Sequence, residues 1–93
     1  MRERDIEQHL RKRVEAAGGR AYKFVSPGND GVPDRLCVFP GGRVIFVELK
    51  APGKTPTPLQ RLQHQRLTEL GCQVFTVDSK EKVDWLLRTF IGA

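Results

Sequence analysis

Apolar positions recur along this chain with two different periods, and the switches between them set out an order of elements. Over residues 3–17, Ile6, Leu10, Val14 and Ala17 fall on one side at helical spacing, and Gly18-Gly19 ends the segment. Residues 20–25 make a short strand candidate. Residues 26–33 are a loop by composition, rich in residues that permit unusual backbone angles. Asp34-Arg35-Leu36-Cys37-Val38-Phe39 reads as a strand, Pro40-Gly41-Gly42 as a tight connection, and Val44-Ile45-Phe46-Val47-Glu48-Leu49-Lys50 as the strand that returns. A second loop covers residues 51–56. Thr57-Pro58-Leu59-Gln60 then offers an N-cap threonine, a first-turn proline and a capping-box glutamine. Leu59, Leu62, Leu67 and Leu70 give the following helix an apolar side, and Gly71 stops it. Residues 72–77 form another strand, and Ser79 caps a last helix whose Val83, Leu86, Leu87, Phe90 and Ile91 share one face. The order is α-β-β-β-α-β-α. Antiparallel strands come first, and a helical crossover leads to a strand that can pair in parallel. The expectation is one α/β domain over residues 1–93, with a mixed central sheet flanked by helices.

One strand breaks its own pattern. Residues 44–47 are apolar on both alternating faces, as in a central strand covered on two sides, yet the strand closes in Glu48 and Lys50. Residues two apart point to the same face, so these two charges share one environment. With Gly41 at the centre of the turn, Val38 lies opposite Val44, Leu36 opposite Phe46, and Asp34 opposite Glu48. Directly opposed side chains have Cβ atoms roughly 4.5–5.5 Å apart, where like charges repel. Two such carboxylates call for a compensating cation. A divalent metal supplies one, with Lys50 as a second positive neighbour. A four-residue connection would set Asp34 opposite Leu49 instead. Strands also end in charge where they leave a core, so Glu48 and Lys50 taken alone are compatible with a solvated pair.

Composition narrows the setting. The 93 residues are 39% hydrophobic and 29% charged, an ordinary globular balance. No apolar run approaches the ~20 residues that span a bilayer, and Met1-Arg2-Glu3-Arg4-Asp5 lacks the apolar stretch of a signal peptide. No membrane partner and a cytoplasmic location are expected. Cys37 and Cys72 lie in apolar segments and read as buried thiols, and two histidines with no C-x-x-C argue against structural zinc. The net charge of +5 suits a polyanionic partner. Residues 51–68 hold no carboxylate but carry Lys54, Arg61, His64 and Arg66 directly after Lys50, a positive field that would attract phosphate. Arg11-Lys12-Arg13 reads as a solvated helix face. Aromatic residues are few and most fit core positions, so no stacking platform for single strands is expected.

Val32-Pro33-Asp34 and Glu48-Leu49-Lys50, with residues 35–47 between the acids, resemble the PD-(D/E)XK nuclease signature. Lys23, Gly31-Val32-Pro33-Asp34-Arg35, Phe46-Val47-Glu48-Leu49-Lys50-Ala51-Pro52 and Pro58-Leu59-Gln60 together resemble the small, single-domain VRR-NUC family of phages and bacteria. That resemblance implies a restriction-endonuclease-like fold and metal-dependent hydrolysis of DNA phosphodiesters, often in branched or flapped DNA. It implies Asp34, Glu48 and the backbone carbonyl of Leu49 as ligands of Mg²⁺ or Mn²⁺, and Lys50 as the group that stabilises the attacking hydroxide or the charge on phosphorus. Gln60 matches the family glutamine as well as the capping box. The family also places an acid on the first helix. Glu3 is favoured because it falls near the middle of the apolar stripe, where an acid needs a partner, while Glu7 lies at its margin. Lys23, Lys54, Arg61 and His64 are the candidate DNA contacts.

Two alternatives stay open from sequence: a non-catalytic basic DNA-binding module, and, within the superfamily, a dedicated junction-resolving or restriction-type enzyme. One domain offers one metal centre, whereas symmetric cleavage of a four-way junction needs two related by a two-fold axis. A homodimer is therefore expected.

Overall fold

In the computed structural model, which describes residues 1–93, the chain runs α1 (Glu3–Ala16), β1 (Arg20–Lys23), β2 (Arg35–Phe39), β3 (Arg43–Leu49), α2 (Pro58–Glu69), β4 (Val74–Val77) and α3 (Lys80–Leu86), the last continuing into a π-helical turn over Leu87–Ile91. The sheet order is β1-β2-β3-β4, with β1, β2 and β3 antiparallel and β4 parallel to β3. This is the expected mixed α/β architecture. Val38 pairs with Val44 and Leu36 with Phe46, the register that a turn centred on Gly41 requires.

One face of the sheet is sealed. Ala21, Cys37, Ile45, Val47 and Leu49 point toward α1 and α3, which bury Ile6, Leu10, Val14, Val83, Leu86 and Leu87 against them. Burial of apolar side chains at this density supplies the main stabilising term, about 1.5–3 kcal/mol for each large residue. Burial also pushes the Cys37 thiol up to about 12, so it stays protonated and inert. Cys72 lies outside β4, and its amide bonds to the Leu67 carbonyl to close α2.

The other face is only partly covered. Val44 is 42% exposed and Phe46 half-buried, although their strand neighbours Ile45 and Val47 are fully buried. The leucine stripe of α2 also differs from expectation. Leu59, Leu62 and Leu70 are exposed, and α2 buries no residue completely. The helix lies against β4 at one end of the sheet and leaves much of that face to solvent.

What fixes α2 is its first turn. Thr57 Oγ1 accepts from the Gln60 amide at 3.2 Å while Gln60 Oε1 accepts from the Thr57 amide at 2.9 Å, the predicted capping box. Gly31 packs directly onto this turn. It has φ +91°, and a Cβ there would lie 2.9 Å from the Leu59 carbonyl oxygen and 3.1 Å from the Gln60 nitrogen. Both the backbone angle and the contact demand glycine. Gly28 has φ +82° but open space around it. Gly31→Ala is expected to lower stability by about 2–4 kcal/mol, strain plus displacement of the α2 turn, against about 1 kcal/mol for Gly28→Ala. Thermal unfolding of the two variants checks the difference.

Candidate active site

The hairpin and α2 meet at the end of β3. Continuing the β2–β3 register one residue past Arg35–Val47 sets Asp34 opposite Glu48. Asp34 is anchored at both ends: its carbonyl accepts from the Phe24 amide at 2.7 Å, and its Oδ2 accepts from the Leu49 amide at 2.9 Å. The backbone of the acidic strand end thus orients the opposing acid.

Glu48 is only 1% exposed. Its Oε2 accepts from Gln60 Nε2 at 3.0 Å and lies 3.3 Å from Lys50 Nζ. Gln60 therefore uses its two amide atoms for different tasks, the oxygen to cap α2 and the nitrogen to hold the carboxylate. The capping box read from sequence is present, and the same side chain also reaches the acid. Oε1 of Glu48 has no partner although it is buried. His64 Nε2, also buried and unpartnered, lies 3.9 Å away. That gap is too long for a hydrogen bond. Burial, then the charge of Asp34, push the Glu48 carboxyl up to about 7, although Lys50 pulls the other way. Burial likewise holds the His64 imidazole below its usual range.

These features suit a hard cation. Two carboxylates converge, one with a free oxygen directed away from its hydrogen bonds, and oxygen donors of this kind match Mg²⁺ or Mn²⁺ better than softer ions. The protein offers few ligands. No group of three His, Cys, Asp or Glu gathers anywhere in the chain. The Asp34 side of the site opens into a cleft of about 370 Å³, which Glu3, Glu7, Lys23, Arg35 and Leu49 also line. Glu7 is paired with the guanidinium of Arg35, so its charge is already matched. Glu3 sits exposed in the first turn of α1 with no ion pair. Core burial does not force a partner on Glu3, contrary to expectation, because the apolar stripe becomes buried only from Ile6 onward.

The predicted DNA contacts are dispersed. Lys23 is exposed at the cleft that holds Asp34. Lys54 is exposed on the loop after β3. Arg61 is exposed, but its Nη1 donates to the Pro56 carbonyl at 2.8 Å. His64 turns inward, leaving 13% of its side chain exposed beside Glu48. It is a neighbour of the acid and not a surface phosphate contact. Its spacing of one helical turn from Gln60 is the signal for this, since residues i and i+4 share a face. Sequence reasoning also missed the Arg35–Glu7 pair and two exposed aromatics, Tyr22 and Trp85. The first run of basic residues splits: Arg13 forms an ion pair with Asp84 and donates to the Ala93 carbonyl, while Arg11 is free.

No family model matches the chain. A protein named "Putative nuclease p44" from Acyrthosiphon pisum secondary endosymbiont phage 1 is 57% identical over 81 residues, which cover 87% of each chain. A solved structure described as a VRR_NUC domain superimposes with a TM-score of 0.89 and 35% identity, over 95% of this chain and 96% of the other. Identity at this level over nearly the whole length, with the hairpin and its acids in the order the signature requires, settles the relationship: the chain belongs to the VRR-NUC family of nucleases.

Proposed function

We propose that this nuclease is a metal-dependent DNA endonuclease selective for branched, flapped or four-way-junction DNA. The observation that carries the reading is the buried Glu48 carboxylate, set against Asp34 with one oxygen free and Lys50 at its side. Asp34, Glu48 and the carbonyl of Leu49 would hold Mg²⁺ or Mn²⁺. When bound, the metal supplies Lewis acidity, lowering the pKa of water and offsetting charge at phosphorus.

The chain's own residues prepare this centre. The Leu49 amide fixes the Asp34 carboxylate, and Gln60 fixes that of Glu48. Lys50 places a positive charge where negative charge grows during attack on the phosphodiester. Water attacks phosphorus, the bond to one bridging oxygen breaks, and the departing oxygen takes a proton. Lys23, at the rim, offers a phosphate contact without touching the reacting atoms. Net charge of +5 favours the approach of DNA.

Incubation of linear, flapped and four-way oligonucleotides with and without Mg²⁺ or Mn²⁺, beside Asp34→Asn, tests the reading on one gel. Cleavage is expected only with metal, faster on branched substrates, and absent in Asp34→Asn. DNA affinity should largely persist in that variant, because phosphate contacts lie elsewhere. Lys50→Ala should keep metal binding and lose about 10²–10³ in rate. Wild-type speed in Asp34→Asn would reject the assignment, and metal-independent binding without cleavage would favour a non-catalytic module.

Stability gives a readout independent of turnover. The folded Glu48 carboxyl titrates at about 7, above its unfolded value near 4.3. Because the folded state holds the proton more tightly, the contribution of Glu48 to stability is greatest below about pH 4.3 and declines as pH rises to 7. Glu48→Gln removes that penalty. In metal-free buffer at pH 8 it is expected to gain on the order of 2–3 kcal/mol over wild type, with little gain at pH 4. Mg²⁺ should raise the Tm of wild type and leave Glu48→Gln unmoved, as scanning calorimetry would record.

A homodimer is proposed on the half-covered sheet face. The sequence of β3 is apolar on both sides, yet Val44 and Phe46 lack the cover given to Ile45 and Val47. A second copy would provide it and bring two metal centres to a junction. Sedimentation equilibrium should give twice the 10.5 kDa chain mass, and Val44→Glu should shift it toward that of one chain. A wild-type monomer at working concentration would overturn this.

A further inference from the structure

We propose that the unpaired, single-stranded arm of the DNA substrate leaves the catalytic cleft along the outer edge of β1, with a base stacked on Tyr22 and its phosphates held by Arg11, Arg20 and Lys23. The proposal rests on the reading of the chain as a DNA nuclease and names the surface that would give it selectivity for flaps.

A second cleft of about 400 Å³ runs along β1, the edge strand of the sheet. Four cations line it, Arg11, Arg20, Lys23 and Arg35, against one carboxylate, Glu15. Lys23 and Arg35 also line the cleft of Asp34, so the two depressions adjoin at these side chains. Arg35 is committed to Glu7 and to the Ala21 carbonyl. The other three cations make no ion pair and are exposed, which leaves them available to phosphate.

Tyr22 distinguishes this track from a general basic surface. It is the only tyrosine in the chain, it is 52% exposed, and it lines the same cleft as the cations. Arg20, two residues earlier on the same strand face, places its guanidinium 6.0 Å from the ring centroid. An exposed ring flanked by positive charge is the combination that binds single strands, because an unpaired base can stack on it and a paired base cannot. Cations on an edge strand also deter pairing with another chain. That role accounts for Arg20 and Lys23. It does not account for Arg11 on a helix, or for an exposed aromatic on the edge, which would favour association.

The track follows β1 for about 10 Å at ~3.3 Å per residue from Arg20 to Lys23, where it meets the catalytic cleft. A branched substrate whose duplex lies over Asp34 and Glu48 can therefore send its unpaired strand across Tyr22 without crossing the buried face.

Fluorescence anisotropy in divalent-free buffer tests this, using a labelled duplex with a single-stranded flap and a blunt duplex of the same stem. Wild type is expected to bind the flapped DNA more tightly. Tyr22→Ala should weaken flap binding about tenfold and leave blunt-duplex binding unchanged, while Tyr22→Phe retains wild-type affinity. The double variant Arg11→Ala with Arg20→Ala should lower the salt slope for the flapped DNA by about 1.4, roughly 0.7 for each lost phosphate contact. These positions are exposed, and an unchanged Tm would separate a binding effect from unfolding. Equal losses on both DNAs, no loss in Tyr22→Ala, or no wild-type preference for the flap would overturn the proposal. Because the assay requires no cleavage, a wild-type protein that bound flaps as described but cut nothing would overturn the catalytic reading alone.

Discussion

A carboxylate removed from water inside a sheet must either keep its proton or be matched by positive charge, and Glu48 imposes that condition on its surroundings. Asp34, across the strand pair, makes ionisation harder. Lys50 and Gln60 make it easier, but both engage Oε2 and leave Oε1 without a partner. The folded protein thus holds an unresolved electrostatic demand at one defined oxygen. The hairpin register, the cap of α2 and the packing of Gly31 all serve to keep it there. Such a site is costly to stability, and a cation is the kind of partner that would meet the demand.

The fold was legible in the sequence where a local signal carried enough chemistry to specify geometry. The Gly41 turn fixed a register, and that register placed Asp34 and Glu48 together. The Thr57–Gln60 box fixed the start of α2 and, with it, the position of the glutamine amide. Periodicity served less well for cover. It told that Leu59, Leu62 and Leu70 share a side with Leu67, but not whether anything lies against that side, and three of the four are exposed. The apolar run of β3 likewise indicated two faces in need of cover, of which the chain seals one.

Charge placement was the hardest part to read. Glu7 and Arg35 lie far apart in sequence, and only the packing of α1 over β2 brings them together. His64 counts as basic on a tally of residues 51–68, yet the turn of α2 takes it into the interior beside the acid. Tyr22 falls in a short strand between Ala21 and Lys23. Its exposure follows from β1 being an edge, a property of strand order and not of β1 itself. The cations divide in the same way: Arg13 ties α1 to α3, Arg35 answers Glu7, and Arg11, Arg20 and Lys23 stay free along one rim.

The shallow anchorage of α2 has a consequence for how this site lives in solution. An element with no completely buried residue is held by its cap, a few polar links and partial burial, so it belongs among the first parts of the molecule to detach in local opening. Its departure would carry away Gln60 and His64 together and let water reach Glu48, relieving the desolvation that holds the acid near neutrality. Local opening of this one helix would therefore expose the acid while the side of the sheet packed by α1 and α3 stays closed.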